Sequence, residues 1–151
     1  EPGPRGSYHA SSFGHLTGDQ VLRLVAMSVK HNVKGKDTAA RYGGEEFAVI
    51  RPNTVLRAAV TVAEHIHRAV MAKELMKRST GEHLGRMTIS IGVAALRNGD
   101  SGQSLIERAD TCLYAAKRHG RNRVMCKIRS GSNGQRLGSR VTRPTPSLWP
   151  A

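Results

Sequence analysis

Residues 41–50 read RYGGEEFAVI: two glycines, two adjacent carboxylates, then an apolar run. A glycine pair lets the backbone turn tightly, so TAARY before it and EEFAVIR after it are expected to pair as the two strands of a hairpin. Neighbouring side chains on a strand point to opposite faces, and only one of Glu45 and Glu46 can therefore face a given site directly. The glycines leave room for a ligand to reach the backbone. A carboxylate at a loop-to-strand junction suits magnesium, which takes oxygen ligands and keeps waters and substrate phosphates around it. By pattern alone a solvated acidic hairpin explains the stretch as well.

The rest of the chain limits the choice. Its 151 residues suffice for one domain with a core. With 38% hydrophobic and 23% charged residues it has the balance of a soluble globular protein. No stretch approaches the roughly 18 consecutive apolar residues of a membrane span, and the reading is a soluble, cytoplasmic protein. Cys112 and Cys126 lack CxxC spacing and read as buried free thiols. The formal charge is +13, but five of the 24 Lys and Arg follow Met125 in a stretch without acids; the remaining 19 against 11 acids leave +8. A basic surface attracts any polyanion and does not choose between nucleotides and nucleic acid. EPGPRGSYHASS at the start has no signal-peptide pattern, and a first residue of Glu1 reads as a fragment or a processed piece.

Along the chain, residues 1–12 are expected to be irregular. A helix is predicted from Thr17 to about His31 on the stripe Val21, Leu22, Leu24, Val25 and Val29, and KGKD reads as a connection. After the hairpin, Asn53 is expected to cap a helix with Leu56, Ala59, Val60, Ala63, Ile66 and Val70 on one face, ending near Lys77. RSTGEHLG reads as loop and MTISIGVAAL, 87–96, as a buried strand. Ser104 with Glu107 is expected to cap a helix stopped by Gly120, and RVMCKI to form the last strand. The order helix, strand, strand, helix, strand, helix, strand predicts an α/β sandwich with helices over a mixed sheet. Residues 129–151, rich in Gly, Ser, Arg and Pro, read as a disordered basic tail.

LYAAKRHGRNR sets Lys117 in a last helical turn and Arg121 just past the glycine stop, where two cations can clamp a triphosphate or merely complement the helix C-terminus. Joined with FGHLTGD at 13–19, RYGGEEF at 41–47, TISIGVA at 88–94, ADTCLYAAK at 109–117 and GRNRV at 120–124, this stretch resembles the GGDEF domain family of diguanylate cyclases. The likeness runs from Phe13 to about Ile128. It implies a nucleotidyl-cyclase-like sandwich, with a mainly antiparallel mixed sheet flanked by helices. The implied reaction condenses two GTP into cyclic di-GMP and pyrophosphate, each of two domains in a face-to-face homodimer holding one GTP, with magnesium or manganese. By the resemblance Glu45 and Glu46 are the catalytic carboxylates, Glu45 also the metal ligand, while strand geometry turns Glu46 away from direct ligation. Gly43 and Gly44 match close-approach glycines, Asp19 and Leu22 guanine contacts, and Lys117 and Arg121 phosphate-binding cations.

The family's DxDxFKxxND strand should lie just before Phe13, ending at residue 11. Counted back, its two metal-binding Asp positions carry Pro2 and Pro4, its Lys position Ser7, and its Asn and final Asp positions Ala10 and Ser11. The first central strand is thus expected to be missing, the domain incomplete, metal binding weak and activity impaired. Lys34 and Asp37 fall where the family has the Arg and Asp of a product-inhibition site, and lysine lacks the planar fork of arginine. Two other readings stand beside an impaired cyclase. One is a catalytically inactive module that binds nucleotide or a protein partner. The other, a nucleic-acid-binding protein acting through the basic tail, lacks a supporting motif, so no specific nucleic acid is expected.

Overall fold

The computed structural model describes residues 15–76, 79–128 and 141–142. In chain order these form α1 (His15–Asn32), β1 (Thr38–Gly43), β2 (Glu46–Ile50), α2 (Leu56–Met71), β3 (Glu74–Met76), β4 (His83–Arg86), β5 (Ile91–Val93), α3 (Gly102–Arg118), β6 (Val124–Cys126) and β7 (Val141–Thr142). The result is the expected α/β arrangement. Its strands, however, lie in three small sheets, β1–β2, β3–β4 and β5–β6–β7, rather than in one continuous sheet.

On α1, Val21, Val25, Ser28 and Val29 recur at helical steps and are buried. The polar member of that face is satisfied locally, Ser28 Oγ donating to the Leu24 carbonyl at 2.9 Å. Ala63, Ile66, His67 and Val70 form the matching face of α2. The two helices meet in one apolar cluster with Leu75, Met87 and Ile89, against which Phe47 and Val49 of β2 and Ile91 of β5 also pack.

Several boundaries differ from expectation. Helix α2 starts at Leu56 rather than behind an Asn53 cap. Asn53 sits in a turn at φ +51° and Val55 is the N-cap, without a side-chain bond. It ends at Met71, not near Lys77: the Ala72 N–H bonds back to the Arg68 carbonyl and the Lys73 N–H to that of Val70, and the chain turns so that Leu75 enters the core at 3% exposure. Burying Leu75 outweighs the helical propensity of KELMK. The stretch read as loop holds β4, which pairs antiparallel with β3 (Leu75↔Gly85). Of the strand expected at 87–96, only Ile91–Val93 joins a ladder among the described residues, although Met87 and Ile89 are buried as expected.

Strands β5 and β6 run parallel, Ile91↔Val124 to Val93↔Cys126, joined by α3 as the crossover. Helix α2 covers one face of the pair through Ala63 beside Val93, Val124 and Cys126, and α3 covers the other through Cys112 and Ala116 beside Met125. Helix α3 lies unusually close. A Cβ on Gly92 would stand 2.2 Å from the Ala109 carbonyl oxygen and 2.3 Å from the Leu113 nitrogen. The helix is capped one turn earlier than expected, by a Ser101–Ser104 box in place of Ser104 with Glu107. Both cysteines are free and buried, and burial pushes both thiols up in pKa. At the end of the chain, Val141–Thr142 pair antiparallel with β6, an extended segment inside the predicted tail; the rest of that tail lies outside the described residues.

Candidate functional site

The hairpin closes as its sequence demands. Thr38↔Ile50 through Arg41↔Phe47 pair in register, a bulge follows, and Gly43↔Glu46 is the last pair before the turn at Gly44 and Glu45. Gly44 adopts φ +39°, open to glycine at little cost. A Cβ at Gly43 or Gly44 would meet nothing within 4 Å, so the tip presents bare backbone to its surroundings. Arg41, which the sequence reading passed over, holds the turn: its Nε and Nη2 donate to the Gly44 carbonyl at 2.8 and 2.6 Å. Glu45 lies in the turn and Glu46 opens β2, both half-buried.

The other candidates lie on separate elements. Asp19 is exposed and Leu22 half-buried, three residues apart on α1 and thus on one side of it. Lys117 lies in the last turn of α3. Arg121 follows the His119 C-cap in a loop where Gly120, Arg121 and Asn122 all take positive φ, +103°, +59° and +49°. The Arg121 N–H bonds the Ala116 carbonyl at 2.9 Å, and His67 Nε2–H donates to Asn122 Oδ1 at 2.6 Å.

Lys34 and Asp37 close a turn on each other, the Asp37 N–H reaching the Lys34 carbonyl at 3.1 Å and the Lys34 N–H reaching Asp37 Oδ2 at 3.2 Å. Arg51 Nε, 2.9 Å from the same oxygen, completes an ion pair whose carboxylate side is 7% exposed. The Asp37 carboxylate thus ties this loop to the end of β2. Asp100 does a similar service beside α3. It accepts from the Arg97 N–H and Ser104 Oγ and pairs with Arg108, which also donates to the Ala95 carbonyl at 2.7 Å. The Arg108 guanidinium, then the Arg97 amide, bring the Asp100 carboxyl down to about 2.

Among the described residues no group of three or more His, Cys, Asp or Glu is placed to hold a metal ion. At the hairpin the donors are Glu45 and backbone carbonyls, and Arg41 already engages that of Gly44. A divalent ion needs more oxygen charge than this lone carboxylate supplies, so these residues do not by themselves fit one.

The family model "Diguanylate cyclase, GGDEF domain" matches residues 9–123. The chain belongs to this family. Among curated relatives, the diguanylate cyclase VdcA of Vibrio cholerae is 46% identical over 114 residues, covering 76% of this chain and 34% of the relative. The response regulator PleD of Caulobacter vibrioides is 44% identical over 117 residues, covering 77% and 26%. This GGDEF chain therefore spans about a third or less of those proteins. Among solved structures, the GGDEF domain of DgcB from Caulobacter crescentus, in complex with c-di-GMP, superposes with a TM-score of 0.75 at 47% identity, covering 78% of this chain and 68% of that one. The active GGEEF domain of a Vibrio cholerae diguanylate cyclase gives 0.67 at 32%, covering 80% and 75%. That GGEEF signature is spelled here by Gly43, Gly44, Glu45, Glu46 and Phe47.

Proposed function

We propose that this chain is a diguanylate cyclase-type domain that binds GTP and, as one of a face-to-face homodimer in the cytoplasm, condenses two GTP into cyclic di-GMP with reduced turnover. The observation that carries the reading is the open glycine turn with Glu45 at its tip, in a chain whose family model spans most of its length. In this reading Gly43 and Gly44 let the triphosphate approach the backbone. Lys117 and Arg121 neutralise its charge, and Asp19 and Leu22 take the guanine, the acid accepting from its N–H groups and the leucine covering its face. The 3′-oxygen of one GTP forms a bond to the α-phosphorus of the other. The bond to pyrophosphate breaks, and the hydroxyl proton passes to a base, for which Glu45 is the candidate. A carboxylate near developing phosphate charge, without a partner group to hold a cation beside it, gives weak transition-state stabilisation. Magnesium or manganese is expected to bind weakly.

The alternative, a nucleotide-binding module without turnover, is favoured by the lack, among the described residues, of a group of three or more His, Cys, Asp or Glu placed to hold a metal. Incubation of the purified chain with GTP and magnesium or manganese, followed by chromatography of the products, separates the two. Slow cyclic di-GMP formation supports the impaired enzyme, GTP binding without product supports the module, and robust turnover would show the impairment to be wrong. Calorimetry showing binding of neither GTP nor cyclic di-GMP overturns both. Because Asp37 is committed to Arg51 and Lys34 lacks a planar fork, product inhibition is expected to be weak.

A further inference from the structure

Gly120, Arg121 and Asn122 stand in succession in the left-handed region, at φ +103°, +59° and +49°. Glycine is at ease there, and asparagine is among the few other residues that visit it readily; arginine is not. Such a run persists only where its surroundings over-determine it. Three of the hydrogen bonds around it are local or join the next strands. The Arg121 N–H bonds Ala116 at 2.9 Å and the Ile91 N–H bonds the Arg123 carbonyl at 2.9 Å, while Arg123 Nε bonds the Arg121 carbonyl at 3.0 Å. The fourth comes from a different helix: His67 of α2 donates to the Asn122 side chain at 2.6 Å across 55 residues of sequence.

His67 is 3% exposed on the apolar face of α2, beside Ala63, Ile66 and Val70. A buried imidazole N–H without an acceptor is costly, so the ring and the Asn122 amide each fix the other's place. Asn122 is the residue directly after Arg121. We propose that His67 is a positioning residue: through Asn122 it locks the left-handed loop and so fixes the direction in which Arg121 presents its guanidinium to phosphate. The proposal rests on the reading of Arg121 as a phosphate-binding cation. Lys117, carried by α3 itself, does not depend on this tether.

The full chain tests it in two ways. Asn122→Gly keeps the positive φ without strain but removes Oδ1, and His67→Ala removes the donor. Either should raise the amide exchange rate of Arg121, read by NMR without nucleotide, by about tenfold, the effect of losing one net hydrogen bond. His67→Gln, which keeps an N–H donor, should restore most of the protection. Calorimetry should then show GTP affinity falling by about tenfold in Asn122→Gly while guanosine affinity stays within about twofold. Asn122→Gly should cost nothing further in an Arg121→Ala background yet act independently of Lys117→Ala. An unchanged exchange rate overturns the tether whether or not nucleotide binds. Equal losses for GTP and guanosine, or full additivity with Arg121→Ala, overturn its role in phosphate binding. Arg121→Ala binding GTP as the wild type does would remove the phosphate role of Arg121 and this inference with it.

Discussion

Asp100 accepts from Arg97, Ser104 and Arg108 at the loop-to-helix junction before α3, and its side chain is 10% exposed. Its carboxyl lies at about 2, below the ordinary 3.8, chiefly because Arg108 hydrogen-bonds the ionised form. A carboxyl depressed in the folded state stabilises it fully above the unfolded value and loses that contribution as pH falls through the folded one. Thermal melts of the wild type should therefore drop in midpoint between about pH 4 and pH 2. Asp100→Asn should melt lower at neutral pH and show a shallower fall across the same window; parallel curves would assign the acid sensitivity to other carboxylates. Gly92 makes the second residue-scale prediction. Its would-be Cβ meets backbone atoms of Ala109 and Leu113, which a rotamer change cannot move aside. Gly92→Ala should cost about 3 kcal/mol or more, the upper range for overpacking, in urea unfolding monitored by circular dichroism.

The helices show which elements a sequence displays and which it hides. Val21, Val25 and Val29 on α1 and Ala63, Ile66 and Val70 on α2 kept a helical period, and both helices were legible from it. The ends were not. KELMK has the composition of a helix, and only the demand for Leu75 in the core turns it into β3, a tertiary cause that local pattern does not carry. Capping misled in the same way: Asn53 and Ser104 are good cap residues, but α2 begins behind Val55 and α3 behind Ser101. The uncapped start of α2 yields a prediction. Val55 is 71% exposed and already has extended cap geometry, so Val55→Ser loses little burial and gains an acceptor for an orphan N–H. It should raise stability by about 1 kcal/mol, seen as a higher urea midpoint with unchanged slope.

At the scale of the molecule, the residue types of the candidate site were legible while their support was not. RYGGEEF and the cations in the last turn of α3 and just past it stand in plain sequence. Arg41 on the Gly44 carbonyl, Arg51 on Asp37 and His67 on Asn122 link positions 3, 14 and 55 residues apart, and no spacing announces them. Among the described residues β2 pairs only with β1 and β5 only with β6, yet both feed side chains into one apolar cluster. Unpaired edges template association with other chains. Sedimentation velocity should show self-association rising with concentration, and Ile50→Lys, placing a charge on a β2 residue that is 65% exposed, should reduce it without lowering the melting midpoint. A monomer at every concentration would show that these edges are covered. The contact at Gly92 has a mechanical meaning as well. At Gly92 backbone rests on backbone with no side-chain layer between them, so a displacement of β5 there presses directly on α3. A small shift of the strand is thus expected to be passed to the helix that leads into residues 120–122.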